Sequence, residues 1–198
     1  MNYLGHALFS FGDAELLLGN MIGDYVKGMA AVKEYPEGIQ RGIMLHRHID
    51  TFTDADAAVQ RAQVWFRQEY GLYSGAIVDT LFDHYLATDP QYFNTENDLL
   101  SFTQDVYKKL VSLQRYFPPQ FAAMFPYMQE ANWLYNYRTM MGAQRSLQGL
   151  QRRAKHMKPV DDAYRTFVIS YYEIGQCYYE FIEKAHKFVK DELKENNS

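Results

Sequence analysis

The stretch Asp79-Thr80-Leu81-Phe82-Asp83-His84 decides the fold prediction. It lies within residues 72–86, a run without proline whose apolar residues recur at helical spacing. On such a helix Asp79 and Asp83 lie on one apolar stripe, and His84 lies on the neighbouring stripe. A carboxylate on a buried face is costly unless it is paired or coordinates a metal. The spacing therefore predicts a helix whose carboxylates and imidazole can converge on one cation.

The composition is that of an ordinary globular protein. The 198 residues are 47% hydrophobic and 22% charged, and the formal net charge is −4. These values argue against a disordered chain and against nucleic acid as a partner. No apolar run reaches the roughly 18 residues of a membrane span, and the first residues lack the pattern of a signal peptide. The single cysteine, Cys177, excludes an internal disulfide, so we expect a cytoplasmic protein with no membrane partner.

Nearly every segment has a helical pattern, and no stretch alternates as a strand would. The predicted helices are 13 to about 27, 36–50, 53 or 54 to 70, 72–86, 95–110, 118 to about 126, one or two within 132–155, and 159 to about 193. Asp13 and either Thr53 or Asp54 are the expected N-caps, Gly71 is an expected stop, and Gly175 is a candidate kink. We predict an all-α fold, a single-domain helical bundle over residues 1–198, with a frayed polar tail after Lys194.

Two more helices place polar groups on apolar stripes. Asp24 follows Leu17 and Met21 at helical spacing, and His46 and Asp50 continue the stripe of Ile39 and Ile43. Taken singly, each would more often be a hydrogen-bonded core residue or a helix cap. Several buried carboxylates together, however, need a positive charge to neutralise them. Histidine and aspartate without cysteine favour manganese, iron or magnesium over structural zinc.

Four blocks carry a resemblance to a known family. They are MNYLGH at 1–6, GNMIGDYVKG at 19–28, GIMLHRHIDTFTD at 42–54 and DTLFDHYL at 79–86. In order and spacing they resemble the acyl carrier protein phosphodiesterases, also called acyl carrier protein hydrolases. The resemblance implies an HD-domain-like, all-helical fold related to the HD superfamily of metal-dependent phosphohydrolases. It also implies removal of the 4′-phosphopantetheine group from holo-acyl carrier protein, with Mn²⁺ as the usual metal and Mg²⁺ or Fe²⁺ as alternatives.

The resemblance and the stripes together suggest roles for individual residues. A metal held by Asp24, His46, Asp83 and His84, or by a subset of them, is expected to polarise a phosphoryl oxygen and acidify a water. Asp50 or Asp79 would complete the shell, orient the histidines or act as general base, and His6 would be a further ligand or a proton donor. Lys27 and Arg47 are expected to contact phosphate. Asp83→Ala is expected to abolish hydrolysis and to leave the fold intact.

An acidic carrier protein would need a local basic patch, because this chain is itself net negative. One candidate patch comprises Lys27, Arg41, Arg47, Arg61 and Arg67, and the other comprises Arg145, Arg152, Arg153 and Lys155. We expect the first patch to bind the partner, since it lies on the helices of the proposed ligands, with Arg61 and Arg67 exposed. Two alternatives stay open, an HD-type phosphohydrolase for another phosphoester such as a nucleotide, and a non-catalytic helical binding protein. The sequence leaves the oligomeric state open.

Overall fold

The computed structural model describes residues 1–195, and this part of the chain is all-α without any β-strand. Its helices are α1 (Tyr3–Leu8), α2 (Ala14–Ile22), α3 (Gly28–Val32), α4 (Glu37–Ala55), α5 (Ala57–Tyr70), α6 (Ser74–Ala87), α7 (Glu96–Ser112), α8 (Pro119–Glu130), α9 (Trp133–Asn136), α10 (Met140–Arg153), α11 (Asp161–Ile169) and α12 (Tyr171–Glu195). The predicted all-α class is confirmed, and the relation to HD domains stays a prediction. Residues 196–198, in the predicted polar tail, lie outside the described residues. None of the described helices combines the length and the apolar character that crossing a bilayer requires.

Helix α6 contains the stretch from which the prediction began, and it lies at the centre of the fold. Ile77, Leu81 and Phe82 are fully buried in it. It packs against α1, α5, α10 and α12, so it is covered on several sides. A helix enclosed in this way buries its polar residues as well, and each of these must find a partner inside the protein.

Several helix ends form where the sequence predicts them. The Asp13 carboxylate accepts a hydrogen bond from the Leu16 N–H at 2.8 Å and so caps α2. Thr95 and Asp98 form a reciprocal capping box at the start of α7. Gly71 ends α5 with φ of +53°, a conformation that residues with a Cβ rarely adopt.

The first two predicted boundaries that differ from the structure lie in the first half of the chain. Helix α2 ends at Ile22 and not near residue 27, because a 3₁₀ turn, Gly23–Tyr25, and the short α3 follow it. The N-cap of α5 is Asp56 and not Thr53 or Asp54, since α4 continues to Ala55. The Asp56 carboxylate accepts from the N–H groups of Ala58 and Val59.

The second half also contains two differences. Pro126 lies inside α8 and does not end it, although it has no N–H to donate to the helix. The buried face of Phe121, Phe125 and Met128 stabilises the helix on both sides of the proline. The last predicted helix is two helices, α11 and α12, which meet at Ser170. Gly175 is not the break, because it lies inside α12, where it gives the Tyr85 ring space to pack. A Cβ at this position would lie 3.0 Å from Cε1 of Tyr85.

Two glycines allow α2 and α4 to pack backbone against backbone. A Cβ on Gly19 would lie 2.1 Å from the Ile39 carbonyl oxygen, and one on Gly42 would lie 2.3 Å from the Leu16 carbonyl oxygen. Real Cβ atoms do not approach backbone oxygens this closely, so any side chain here would separate the helices. The close contact matters because α2 and α4 carry the polar residues of the site described below.

Gly42→Ala is expected to lower the free energy of unfolding by about 1–3 kcal/mol, because the added methyl group overpacks a backbone contact. Urea unfolding of the purified variant measures this loss. Gly75→Ala on α6 is the matched control, since its Cβ would meet nothing nearer than Nε2 of Gln63 at 3.5 Å. We expect that control to be neutral or stabilising by about 0.5–1 kcal/mol. Equal effects of the two substitutions would show that helix separation at Gly42 is not the cause.

Candidate active site

Polar side chains from three helices converge beneath the N-terminal segment. His6 lies on α1, while His46 and Asp50 lie one turn apart on α4. One ligand atom from each of these residues lies within 4.8 Å of the other two. We call these three residues the His–Asp cluster. Asn20 on α2 contacts both histidines and holds them in place.

The orientation of His46 is set by a backbone carbonyl. Its Nδ1 donates to the Asn20 carbonyl oxygen at 2.8 Å. Its Nε2 therefore points toward Oδ2 of Asp50 at 3.2 Å and toward Oδ1 of Asp24 at 3.6 Å. Burial lowers the pKa of His46, but the two carboxylates raise it further, to about 9. A divalent cation bound here would displace that proton, as metal binding to histidine does.

His6 stacks on His46 with 4.1 Å between the ring centroids. The Asn20 amide nitrogen donates to the His6 carbonyl oxygen, which turns its side-chain oxygen toward Nδ1 of His6 at 2.8 Å. Nδ1 is therefore assigned as the donor, and Nε2 carries the lone pair. Nε2 lies 3.3 Å from Oδ1 of Asp50 and 3.1 Å from the Met1 carbonyl oxygen. Burial and the neighbouring His46 lower the pKa of His6 to about 4, so the ring is neutral at pH 7.

The arrangement fits a cation. Nε2 of His46 and Oδ1 of Asp50 are buried and form no hydrogen bond. Nε2 of His6 faces oxygen atoms and has no hydrogen to donate to them. Burial raises the pKa of Asp50, but His46 and the α-amino group of Met1 lower it more, so its carboxylate is ionised. Converging nitrogen and carboxylate ligands without sulfur are the donor set of Mn²⁺, Fe²⁺ or Mg²⁺ sites.

Asp79 lies beside the cluster but has a different partner. Its Oδ1 lies 3.0 Å from the α-amino nitrogen of Met1, which is also 3.7 Å from Oδ1 of Asp50. Burial raises the pKa of Asp79, and the amine opposes that effect. The Asp79 carboxylate therefore pairs with the charge of the α-amino group at the edge of the site.

The structure does not bring Asp83 and His84, predicted as metal ligands, into the His–Asp cluster. The two oxygens of Asp83 accept hydrogen bonds from the N–H groups of Leu4 at 2.8 Å and Gly5 at 3.1 Å. Burial raises the pKa of Asp83 to about 7, against the lowering effect of these N–H groups. His84 bonds through Nδ1 to the Tyr137 carbonyl oxygen and through Nε2 to the Tyr171 hydroxyl. Asp83 therefore caps α1, and both nitrogens of His84 are occupied elsewhere.

One cavity adjoins the cluster, and a second, larger cavity shares part of its lining. The small cavity, of about 360 Å³, is lined by His6, His46 and Asp79 among others. The large cavity, of about 890 Å³, has apolar walls that include Met124 and Trp133. Its volume is within the roughly 300–1,000 Å³ typical of ligand sites in proteins.

The predicted phosphate-binding residues separate in the structure. Lys27 is exposed and lines the large cavity. Arg47 donates from Nη2 to the Val26 carbonyl oxygen at 2.9 Å, so it supports the backbone after the 3₁₀ turn. It does not line either of the two cavities. Lys27 therefore keeps a position suited to substrate contact, and Arg47 does not.

The two arginines predicted to dock the partner lie on α5, away from both cavities. Arg61 forms an ion pair with Glu180 of α12, and Arg67 donates to Gln63 at 3.2 Å. Both are exposed as predicted, but the large cavity is lined instead by Arg145 and Arg152 of α10. The arginines beside the site thus belong to the second of the two predicted patches, and Lys27 of the first patch lines the same cavity.

The chain is similar to known proteins over most of its length. The family model described as acyl carrier protein phosphodiesterase matches residues 1–185. The chain belongs to this family. An acyl carrier protein phosphodiesterase from Enterobacter sp. (strain 638) is 28% identical over 181 residues, which cover 91% of this chain and 93% of that protein. One from Klebsiella pneumoniae subsp. pneumoniae is 27% identical over 191 residues, or 96% and 98% of the two chains. No solved structure matches the chain.

Membership of the acyl carrier protein phosphodiesterase family confirms the resemblance seen in the four sequence blocks. The match extends beyond those blocks and includes α10, which ends at Arg153. Arg153, Tyr3 and Tyr25 line both cavities. The sequence placed Arg153 only in the less favoured docking patch, and neither tyrosine was predicted to contact the substrate. Tyr3 and Tyr25 lie inside two of the four sequence blocks. Tyr25 directly follows Asp24, and Tyr3 lies three residues before His6, so their positions in these blocks could have indicated a role in the site. Arg153 has no such local signal, because its contact with Tyr3 joins residues 150 positions apart.

Proposed function

We propose that this protein hydrolyses the phosphodiester that links 4′-phosphopantetheine to a serine of acyl carrier protein. The products would be apo-acyl carrier protein and 4′-phosphopantetheine. His6, His46 and Asp50 would hold a divalent metal, with Mn²⁺ as the expected ion. Family membership supports the substrate, and the His–Asp cluster supports the metal.

The observation that carries the proposal is the pair of buried polar atoms in the His–Asp cluster that form no hydrogen bond. A structural polar cluster would satisfy these atoms internally, since buried polar groups almost always have partners. Here Nε2 of His46 and Oδ1 of Asp50 have none. A bound cation would satisfy both and would also neutralise the carboxylate.

The residues of the site suggest how the reaction proceeds. When bound, the metal would supply a Lewis acid that stabilises negative charge on the phosphoryl group. Asn20 orients both histidines through its carbonyl oxygen and its side chain. Asp24, whose side chain is 76% exposed, lies 3.6 Å from Nε2 of His46 and lines both cavities. We therefore assign Asp24 to take a proton from the attacking water.

The reaction exchanges one bond to phosphorus for another. The water oxygen bonds to phosphorus, and the bond from phosphorus to the serine oxygen breaks. The proton that Asp24 accepts is balanced by one that the serine oxygen takes up as it leaves. Two residues predicted to take part do not enter this scheme, because Asp83 caps α1 and His84 is bonded elsewhere.

Intact-mass measurement of the carrier protein tests the proposal. Holo-acyl carrier protein is incubated with the purified protein and Mn²⁺, and then with Mg²⁺ or Fe²⁺ in its place. We expect the carrier protein to lose the mass of 4′-phosphopantetheine, and the free compound to appear in solution. Chelation with EDTA should stop the reaction. If the carrier protein keeps its prosthetic group with every metal, the proposed activity is wrong.

We further propose that the carrier protein docks beside the large cavity through Lys27, Arg145 and Arg152. All three side chains are exposed and line that cavity. The protein as a whole is net negative, so an acidic partner needs such a local patch. This surface replaces the α5 arginines, which the sequence favoured.

Arg145→Ala and Arg152→Ala are expected to lower kcat/KM for holo-acyl carrier protein, each by about tenfold at low salt, through slower association. The loss should shrink at high salt, because salt already screens the attraction in the wild-type protein. Arg61→Ala and Arg67→Ala are matched controls that remove the same charge from α5. Steady-state kinetics at two salt concentrations measures all four. A larger loss from the α5 variants would move the docking surface back to α5.

A further inference from the structure

Arg153 stands at the boundary between the two cavities. It lines both of them, together with Asn2, Tyr3, Asp24 and Tyr25. A ligand that reaches from the His–Asp cluster into the large cavity must therefore pass Arg153. This residue is the last of α10, and its side chain is exposed to solvent.

The guanidinium of Arg153 is held by tyrosines and not by an acid. Its Nη1 donates to the Tyr3 hydroxyl oxygen at 3.1 Å, and its Cζ lies 5.8 Å from the centre of the Tyr3 ring. Within residues 1–195, no carboxylate forms an ion pair with it, unlike the guanidinium groups of Arg61, Arg138 and Arg165. Its charge is therefore available to an anionic ligand.

A short chain of hydroxyl groups fixes the position of this guanidinium. Because the Tyr3 oxygen accepts from Arg153, its own hydrogen can be donated to Tyr25, whose oxygen is 2.7 Å away. The Tyr25 hydroxyl in turn lies 3.7 Å from Sδ of Met124. Only one of the five N–H donors of Arg153 is used in this chain, and the others can bind a ligand at the cavity boundary.

We propose that Arg153 binds the phosphodiester of the substrate, with Tyr3 and Tyr25 as positioning residues, and that the large cavity holds the pantetheine arm. The proposal rests on the proposed function, which supplies the substrate. A phosphodiester has two non-bridging oxygens that share a negative charge, and a guanidinium matches this geometry with paired N–H donors. The arm has methyl and amide groups, which suit walls that combine Met124 and Trp133 with Asn136.

Binding of two small ligands tests the role of Arg153 separately from catalysis. Calorimetry compares 4′-phosphopantetheine with pantetheine, which lacks the phosphate, on the Mn²⁺-treated protein. Arg153→Gln is expected to weaken 4′-phosphopantetheine about 10- to 100-fold and to leave pantetheine nearly unchanged. Arg165→Gln, which removes the same charge from α11, should change neither. Equal losses for the two ligands, no loss for either, or no binding of 4′-phosphopantetheine to the wild type overturns the proposal.

A double-mutant cycle tests the positioning role. Tyr3→Phe removes the hydroxyl that holds Arg153, so it should weaken 4′-phosphopantetheine by less than Arg153→Gln does. In the Arg153→Gln background the same change should have no further effect on this ligand, because no guanidinium remains to be positioned. Additive losses would show that Tyr3 acts independently of Arg153 and would remove the positioning role.

A pair of neighbouring alanines tests the place of the arm. Ala123 is exposed and lines the large cavity, whereas its exposed neighbour Ala122 does not line it. Ala123→Trp should weaken both ligands about equally by filling the cavity, and Ala122→Trp should weaken neither. Unchanged binding to Ala123→Trp would exclude the cavity as the arm site.

The failure of this inference and the failure of the proposed function give different results. If holo-acyl carrier protein is hydrolysed but Arg153→Gln binds 4′-phosphopantetheine normally, the function stands and the inference is wrong. If the wild type binds 4′-phosphopantetheine through Arg153 but hydrolyses no carrier protein, the proposed function is wrong and the phosphate-binding role of Arg153 stands.

Discussion

His46→Ala is expected to lower hydrolysis of holo-acyl carrier protein roughly 1,000-fold, since a catalytic metal contributes several kcal/mol and about 1.4 kcal/mol corresponds to a factor of ten. Nε2 of this ring lies between the carboxylates of Asp24 and Asp50. Its removal leaves the two acids facing each other with one ligand fewer. The affinity for Mn²⁺ should therefore fall together with kcat/KM. Calorimetry with Mn²⁺ and the intact-mass assay measure the two quantities on one protein preparation.

His84→Gln is the matched control for this experiment, because it also removes a buried imidazole. The two ring nitrogens of His84 form hydrogen bonds with the Tyr137 carbonyl oxygen and the Tyr171 hydroxyl, and not with the His–Asp cluster. We expect this variant to melt at a lower temperature while its Mn²⁺ affinity changes by less than about twofold. If His84→Gln weakens Mn²⁺ as much as His46→Ala does, or if His46→Ala stays active, the cluster is not the metal site.

Much of the cluster could be predicted because its signal is local. His46 and Asp50 are four residues apart on α4, so helical periodicity alone places them on one face. Asp24 follows the apolar stripe of α2, although the chain leaves that helix for a 3₁₀ turn before reaching it. The predicted approach of Asp24 to His46 is therefore correct, at 3.6 Å between Oδ1 and Nε2.

Periodicity could not distinguish a metal ligand from a cap or from a core hydrogen bond. Asp83 is on the predicted buried stripe, but its partners are the N–H groups of Leu4 and Gly5, 78 or more positions earlier in the chain. His84 is bonded to Tyr137, 53 positions later. A pattern along one helix shows which residues are buried and carries no information about which distant backbone meets them. The same limit applies to Arg153, which the sequence placed only in the second basic patch and whose proposed role depends on Tyr3.

The contact between Asp83 and α1 makes Asp83→Ala a stability variant, contrary to the sequence prediction of an intact fold. The substitution leaves two buried N–H groups without an acceptor, which costs about 1–3 kcal/mol each. We expect the free energy of unfolding to fall by about 2–6 kcal/mol in total and the melting temperature to fall by roughly 4–24 °C. Any loss of hydrolysis should follow from misplacement of α1, which carries His6.

Asp83→Asn separates the cap from the charge. The amide keeps one oxygen that can accept from Leu4 or Gly5, so its loss of stability should be about half that of Asp83→Ala. Because the cap acts on the fold and not on the metal, the asparagine variant should bind Mn²⁺ like the wild type at a temperature where it is folded. Urea unfolding and Mn²⁺ calorimetry on the two variants measure both effects. An asparagine variant that is fully stable but binds no Mn²⁺ would return Asp83 to the metal ligands that the sequence predicted.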